Sequence, residues 1–190
     1  MKDKVSIFIP VRSGSERVIN KNVRDFAGVS GGLLHLKIKT VLEIEGVDEI
    51  VLSTNDIEAI KIAQNFNDDR LRIDNRPHEL CQSSTLVSDL IRYVPTILNN
   101  EHIFWIHVTS PFTTAATYNS ALKLYFDNLK NTNLDSLLSV TKIQQFIWDD
   151  EIREMINYDI SKGNWPRTQD LKPLYEINHA FYINSKDNYI

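Results

Sequence analysis

Short apolar runs alternate with amphipathic stretches from residue 5 to residue 142 of the chain. The apolar runs predict strands at Val5–Ile9, Asp48–Ser53, Leu71–Ile73, Ile103–Val108 and Ser136–Lys142. The stretches between them predict helices at Gly31–Glu45, from Asn55 to Asn65, from Ser84 or Thr85 to Leu98 with Pro95 as a kink, and at Ala115–Leu129. This alternation is typical of an α/β fold. We therefore predict one domain over residues 1–190, a three-layer, mostly parallel, doubly wound sheet with helices on both faces.

The pattern changes after Lys142. Gln145–Lys162 mixes Trp148, Met155 and Tyr158 with many charged residues and has neither helical nor strand periodicity. We predict that residues 143–165 form a hairpin or arm outside the sheet. Ala180–Asn184 then predicts a returning strand, and Ser185 could cap a helix that is not completed before residue 190.

Composition excludes several classes of function. The net charge of −4 gives no general reason to expect nucleic-acid binding. No apolar run approaches the roughly 20 residues of a membrane span, and the first residues do not resemble a signal peptide. The single Cys81 excludes an intrachain disulfide and fits a reducing compartment. We therefore expect a cytoplasmic protein.

One loop is strongly basic within this acidic chain. Between residues 12 and 24 a single acid, Glu16, accompanies four cations, Arg12, Arg17, Lys21 and Arg24. Gly14 and the serines beside it allow tight turns whose N–H groups can face an anion. No Gly-Lys-Ser/Thr sequence opens a helix here, so the loop is not a Walker motif. A phosphate site and a merely solvated loop both fit this pattern.

In a parallel sheet, the polar loops after Ile9, Ser53 and Val108 should share one ligand-binding edge.

The basic loop resembles the signature of the acylneuraminate cytidylyltransferase (CMP-sialic acid synthetase) family, Pro-Ala-Arg-x-Gly-Ser-Lys-Arg-x-Pro-x-Lys-Asn. The matching residues are Arg12, Gly14, Ser15, Arg17, Lys21 and Asn22. The resemblance implies that they bind the triphosphate of CTP, with Arg12 and Lys21 in the catalytic role. Glu16 replaces the usual Lys and Ile19 the usual Pro, and a carboxylate at position 16 should weaken phosphate binding.

Three further segments resemble the same family in the same order. Leu52–Asp56 is similar to Val-Ser-Thr-Asp-Asp, although a helix cap explains it equally well. Arg76–Leu80 is similar to Arg-Pro-Ala-Glu-Leu, which implies that Arg76 lies near the cytosine; the alternative is a surface salt bridge. His107–Thr113 is similar to Gln-Pro-Thr-Ser-Pro-Leu-Arg, which implies that Thr109, Ser110 and Pro111 contact the nucleotide. The departures are His107, which we interpret as a core residue, Thr113, and Ser83 and Ser84 in place of Asp-Thr.

Two last segments, Arg167–Gln169 and Asn178–Ile183, resemble the family's Arg-x-Gln segment and its Asn-Gly-Ala-x-Tyr-Ile strand, which contact the sugar acid in the family. The resemblance implies that Arg167 binds the carboxylate of the sugar acid, while Gln169 and Asn178 bind its hydroxyls or acyl amide, and that Tyr182 contacts it as well. An ordinary strand is the alternative explanation for residues 181–183. His179 replaces the family's Gly, which should narrow the pocket.

The resemblance as a whole implies a nucleotide-diphospho-sugar transferase-like fold that activates a nine-carbon 2-keto sugar acid with CTP, releasing pyrophosphate. It also implies Mg²⁺ as cofactor and a homodimer formed through the arm. The family's Mg²⁺ ligands lie in an Ile-Asp-x-x-x-Asp-like segment after the final strand, which this sequence does not reach. Asp187 has no carboxylate partner, so no metal ligand can be assigned.

Two alternatives stay open. Either the protein is an active enzyme whose complete form carries the missing segment or receives it from a partner chain, or the chain is a non-catalytic nucleotide- or sugar-binding homologue. A cytidylyltransferase for another acceptor, such as the eight-carbon Kdo, also fits. The sequence does not specify which sugar acid is used.

Overall fold

The computed structural model describes residues 4–14, 18–159, 161 and 163–189 of the chain. The chain divides into two units. The first consists of Met1–Leu138 and Ala180–Ile190, and the second of Ser139–His179. Residues 143–165, predicted to be an arm, lie within the second unit.

A six-stranded sheet organises the chain. Its strands, with those of a separate two-stranded hairpin, are β1 (Val5–Val11), β2 (Glu49–Thr54), β3 (Leu71–Asn75), β4 (His102–Ile106), β5 (Ser136–Ile143), β6 (Trp148–Asp149), β7 (Glu154–Met155) and β8 (Leu174–Ser185). The sheet order is β3-β2-β1-β4-β8-β5, and β6 pairs with β7 in the hairpin. β1 pairs in parallel with both β2 and β4, and β2 with β3. β8 runs antiparallel to β4. The prediction of a mostly parallel sheet is confirmed.

Four α-helices connect the strands of the first unit: α1 (Gly32–Leu42), α2 (Ile57–Gln64), α3 (Val87–Ile97) and α4 (Ala115–Asn131). The predicted caps of two helices are wrong. Asp56 rather than Asn55 caps α2, because its carboxylate accepts from the backbone N–H groups of residues 58 and 59. No side chain caps α3, and the hydroxyl of Thr85 donates instead to the carbonyl of Glu79.

Two hydrophobic clusters lie on opposite faces of the sheet. Alternate residues of β1 point to opposite faces: Ile7 packs in the cluster that includes α1 and α4, whereas Phe8 packs in the cluster that includes Val94 of α3. Since every residue of β1 except the half-buried Pro10 is buried, this strand forms the centre of the core. Helices therefore cover both faces, which confirms the predicted three layers.

The second unit contains the hairpin of β6 and β7, in which Trp148 pairs with Met155. The prediction of a hairpin in this segment is confirmed. The buried Asn157 organises the unit, because its side-chain amide donates to the carbonyls of Gln145 and Lys172. In the ranges that the structure describes, no helix is long and apolar enough to cross a membrane.

Helix α1 begins at a glycine with no room for a side chain. Gly32 has a φ of 55°, and a Cβ there would lie 1.9 Å from the carbonyl oxygen of Arg24. This close approach allows the loop before α1 to fold back on the first turn of the helix, where Gly32 N–H donates to the carbonyl of Val29.

Helix α1 also contains a buried lysine. Lys37 is 1% exposed, and its Nζ donates to the carbonyl of Ser110 (2.8 Å) and the hydroxyl of Tyr118 (2.6 Å). Burial lowers the pKa of Lys37 from 10.5 to about 8, because the charged form is poorly solvated there.

Gly32→Ala should destabilise the protein by about 2–3 kcal/mol, because the methyl group clashes with backbone and the left-handed conformation disfavours alanine. Urea denaturation measures the free energy of unfolding. Gly46→Ala is the matched control: Gly46 has a φ of 72° but no atom within 4 Å of the added Cβ. Equal losses for the two variants would contradict the packing explanation.

Lys37→Met should change how stability depends on pH. The folded state of the wild type loses the Lys37 proton near pH 8, and the unfolded state near 10.5. Between these values the unfolded state binds more protons, so stability rises with pH. We expect the wild type to gain about 2 kcal/mol relative to Lys37→Met between pH 7.5 and 9.5, measured by urea denaturation. A pH-independent difference would contradict the lowered pKa; Lys39→Met, on the exposed side of α1, is the control.

Candidate functional site

The loops after β1 and β2 meet at the carboxyl edge of the sheet. The last residues of the two strands, Val11 and Thr54, are paired, so both loops start at the same level. The backbone N–H of Ser13 donates to Asn55 Oδ1, and Asn55 Nδ2 donates to Ser13 Oγ, both at 3.0 Å. The prediction that these loops share an edge is confirmed, and Asn55 connects the loops instead of capping a helix.

Arg76 is buried directly after β3. It is 6% exposed, its Nε donates to Ser53 Oγ at 3.0 Å, and its Nη2 donates to the Ser53 carbonyl. Its own backbone N–H donates to the carbonyl of Thr54. The alternative of a surface salt bridge is therefore wrong. Arg76 is held by the end of β2, at the same edge as the basic loop.

The carboxylate of Asp74 accepts a hydrogen bond from the serine that binds Arg76. Ser53 Oγ donates to Asp74 Oδ2 at 2.6 Å, and the Tyr93 hydroxyl donates to Asp74 Oδ1 at 2.9 Å. Burial, together with the bond to Asp74, raises the pKa of Tyr93 to about 12. Because both oxygens of Asp74 accept hydrogen bonds, the network fixes Ser53 and, through it, the guanidinium of Arg76.

Positive charge accumulates at this edge. Burial lowers the pKa of Arg76; Cys81, Asp74 and Tyr93 act to raise it, and the charge of the nearby Arg12 acts to lower it. Arg12 and Lys21 are half-buried and form no ion pair with any carboxylate of the described residues. Cations without an acidic partner favour an anionic ligand.

Within the basic loop, the structure describes Gly14 but not residues 15–17, so the predicted roles of Ser15 and Arg17, and the position of Glu16, lie outside the described residues. Gly14 is exposed and has a φ of 75°, a left-handed conformation that glycine adopts without steric cost.

Asn22 ends the basic loop as a buried residue. Its carbonyl accepts from the backbone N–H of Leu34 at 2.8 Å. The side chain is 9% exposed, and Oδ1 has no hydrogen-bond partner among the residues that the structure describes. A buried acceptor without a partner costs about 1–3 kcal/mol, so this oxygen suits a donor on a ligand.

The loop after β4 contains Thr109, Ser110 and Pro111, of which Thr109 is exposed. The carbonyl of Ser110 accepts from Lys37 Nζ and from the backbone N–H of Thr113. Sequence reasoning overlooked Lys37. Its position was nevertheless informative, since it lies three residues after Leu34 and four before Val41, on the buried stripe of α1.

Further along this edge, aromatic rings surround His107. The His107 ring stacks on Trp105 (centroids 6.0 Å apart) and lies 6.3 Å from the ring of Tyr182. Tyr182 is half-buried, and burial raises its pKa. The structure thus places Tyr182 on β8, next to Trp105 of β4.

The other predicted sugar-binding residues belong to the second unit. Arg167 forms a two-point, exposed ion pair with Asp170. The backbone carbonyl of Gln169 accepts from Gln144 Nε2. Asn178 Oδ1 accepts from Ser139 Oγ at 2.6 Å, and its Nδ2 donates to Thr141 Oγ1 at 3.2 Å.

His179 has a left-handed backbone, with a φ of 57°. Glycine adopts this conformation without a steric cost, which gives a backbone reason for the glycine found there in the family that this segment resembles.

Metal ligands do not assemble in the described part of the chain. No group of three or more His, Cys, Asp and Glu side chains there could hold a metal ion. Asp187 lies exposed in a short 3₁₀ turn (Lys186–Asn188), where its backbone N–H donates to Ser185 Oγ. The described residues therefore do not form a metal site from protein ligands alone.

Two curated relatives are similar to the chain over nearly its whole length. The pseudaminic acid cytidylyltransferase of Campylobacter jejuni (serotype O:2) is 28% identical over 184 residues, which cover 93% of this chain and 76% of the relative. The N-acylneuraminate cytidylyltransferase of Escherichia coli O18:K1:H7 is 26% identical over 192 residues, covering 100% of this chain and 44% of the relative.

Solved structures show the same fold. A CMP:2-keto-3-deoxy-manno-octonic acid synthetase in complex with CTP has a TM-score of 0.67 at 17% identity, with 98% of this chain and 76% of that chain covered. The 4-diphosphocytidyl-2C-methyl-D-erythritol synthase of Anaerococcus prevotii has a TM-score of 0.63 at 17% identity, with 97% and 70% covered. At these identities the similarity establishes the fold alone.

The sequence model of one family, described as cytidylyltransferase, matches residues 6–187, which is almost the entire chain. The basic loop, Arg76 and the loop after β4 all fall within the matched region. This chain belongs to the cytidylyltransferase family.

Proposed function

We propose that this protein is a CTP-dependent enzyme that transfers CMP to a nine-carbon 2-keto sugar acid of the sialic or pseudaminic type. The main support is that Arg12 and Lys21, at the carboxyl edge of the sheet, form no ion pair with any described carboxylate, in a chain whose family is that of cytidylyltransferases. The curated relatives act, by their names, on pseudaminic acid and N-acylneuraminate, which gives the class of acceptor.

The nucleotide would bind along the edge where β1, β2 and β4 end. Arg12, Lys21 and the backbone at Gly14 would neutralise the triphosphate, together with Ser15 and Arg17. The buried Arg76 would lie near the cytosine, fixed by its bonds to Ser53. Thr109, Ser110 and Pro111 would contact the nucleotide from the loop after β4, and Asn22 would accept from a donor group of CTP.

The reaction is a displacement at phosphorus. The anomeric hydroxyl oxygen of the sugar acid attacks the α-phosphorus and forms a new P–O bond, while the bond from the α-phosphorus to the bridging oxygen breaks. Pyrophosphate leaves with that oxygen, and the hydroxyl proton passes to solvent. Arg12 and Lys21 would stabilise the negative charge of the leaving pyrophosphate.

The sugar acid would be recognised by polar side chains between residues 167 and 182 of the chain. Arg167 would bind its carboxylate after exchanging the exposed partner Asp170, an exchange that costs little because exposed ion pairs contribute about 0–1 kcal/mol. Gln169, Asn178 and Tyr182 would contact its hydroxyl and acyl groups.

Mg²⁺ is part of the proposal as the counter-ion of the CTP phosphates. Mg²⁺ commonly binds through substrate phosphates and one or two carboxylates. Because the described residues do not provide a site of three protein ligands, we assign it none and derive no catalytic step from it.

The second unit supports a homodimer. Several large apolar side chains there are exposed: Val140, Trp148, Ile152, Ile156, Trp165, Tyr175 and Ile177. Exposed apolar residues concentrated in one small unit are typical of a protein–protein interface. We propose that this unit forms the dimer contact, and that the enzyme acts in the cytoplasm.

Purified protein should release pyrophosphate from CTP when a sialic-type or pseudaminic-type acid and Mg²⁺ are present. Arg12→Gln should lower kcat/KM by about 100-fold, because a charge-assisted contact to phosphate is lost. Arg92→Gln on α3 is the matched control, since its ion pair with Asp89 is exposed and contributes about 0–1 kcal/mol.

The same assay with several sugar acids as acceptors, including Kdo, also decides between the alternative acceptors and between an enzyme and a non-catalytic homologue. Release only with the eight-carbon Kdo would replace the nine-carbon acceptor in the proposal. CTP binding without release for any acceptor would indicate a non-catalytic homologue. Equal activity of Arg12→Gln and the wild type would contradict the proposed phosphate site.

Light scattering coupled to size-exclusion chromatography should give a dimer mass for the wild type at micromolar concentration. Ile177→Glu should shift the protein to the monomer, because burying the glutamate charge in an apolar interface would cost free energy of association. Leu124→Glu is the control, since Leu124 is similarly exposed (51% against 47%) but lies on α4 of the first unit. A monomeric wild type would contradict the proposal.

A further inference from the structure

We propose that Lys37 is a positioning residue for the nucleotide, which holds the loop after β4 through the Ser110 carbonyl and so sets the affinity for CTP. This inference rests on the proposed function, because it concerns the loop that would contact the nucleotide. It assigns a role to a side chain that has no place in the catalytic step proposed above.

The first argument is the geometry of the ammonium. Nζ donates to the Ser110 carbonyl at 2.8 Å and to the Tyr118 hydroxyl at 2.6 Å, and it lies 4.9 Å from the centroid of the Tyr118 ring. An ammonium has three donors, and a hydrogen bond from a charged donor is stronger than one between uncharged groups. Ser110 is therefore fixed by a strong bond from the interior rather than by solvent-exposed contacts.

The second argument is that one helix contacts two ligand loops. Lys37 of α1 holds the loop after β4, while the backbone N–H of Leu34, one turn earlier, donates to the carbonyl of Asn22 at 2.8 Å. A helix is rigid over one turn, so the spacing between Asn22 and Ser110 is fixed by α1. Loss of the Lys37 bond would leave Asn22 in place and release only the loop after β4.

The third argument is the kind of residue at this position. The neighbours on the same stripe of α1, Leu34, Ile38 and Val41, are apolar and fully buried. No carboxylate of the described residues forms an ion pair with Lys37. A charge buried with only neutral acceptors stabilises the fold poorly, and methionine would fill the space at less cost. The ammonium is better explained by its effect on the loop after β4.

The test compares CTP binding by full-length variants, measured by isothermal titration calorimetry at pH 7.5 with excess Mg²⁺. Lys37→Met keeps the volume and removes both hydrogen bonds; we expect the Kd for CTP to rise about tenfold. Lys37→Gln keeps a neutral donor and should give an intermediate Kd. Lys39→Met, on the exposed side of the same helix, should bind CTP as the wild type does.

Steady-state kinetics separate positioning from mere stability. A positioning role predicts a higher KM for CTP with a smaller change in kcat. A role in folding alone would lower the fraction of folded protein and hence the apparent kcat, leaving KM and the Kd of the folded fraction unchanged. Circular dichroism gives the folded fraction, and if Lys37→Met does not fold, Lys37→Gln decides.

A Kd within twofold of the wild type for a folded variant at position 37 would overturn the inference and leave the proposed function intact. A wild-type chain that binds no CTP would instead overturn the proposed function, and the role of Lys37 would fall with it.

Discussion

The loops at the carboxyl edge of the first unit depend on the parallel pairing of β1 with β2 on one side and β4 on the other. Parallel strands end at the same edge, so the basic loop, Asn55 and the Thr109–Pro111 loop begin at one level of the sheet. β1 is almost completely buried on both faces, so it forms the centre of the core against which β2 and β4 pair. The hydrophobic packing of β1 thus determines where the polar loops after β1, β2 and β4 begin.

Two buried cations extend this arrangement into the interior. Lys37 reaches the edge from α1 and Arg76 from the end of β3; Lys37 donates to the carbonyl of Ser110 in the loop after β4, and Arg76 to the carbonyl of Ser53 at the end of β2. Burial lowers the pKa of each, which means that the fold stabilises the charged forms less well than water does. Such charges destabilise the isolated protein, and a bound polyanion would offset that cost.

The sequence predicted the elements well where one physical signal dominates. Alternating strands and helices follow from local periodicity, and the shared edge follows from the parallel sheet that this alternation implies. The hairpin near Trp148 was predicted only from the loss of periodicity after Lys142. The prediction from sequence failed where several neighbouring residues could form the same kind of hydrogen bond. Asn55 and Asp56 are both good caps, and only the position of Ser13 across the sheet assigns Asn55 to the loop contact.

The burial of Arg76 and Lys37 could not be inferred locally. The sequence around Arg76 fits a surface ion pair equally well, and its burial depends on Ser53 and Asp74, which precede it on different strands. Lys37 was the easier case, because a lysine on an apolar stripe is already unusual. Its partners, Ser110 and Tyr118, lie more than seventy residues away and could not be identified from the helix alone.

The two edges of the sheet differ in how well they resist association with other chains. β3, at one edge, is five residues long and contains Arg72 and Asp74. β5, at the other, is eight residues long, and Lys142 is its only charged residue. Short, charged edge strands discourage pairing with foreign strands, whereas long apolar ones invite it. In concentrated solution, β5 is therefore the strand at which aggregation would start, and the exposed Leu138 is where a gatekeeping lysine would protect the protein.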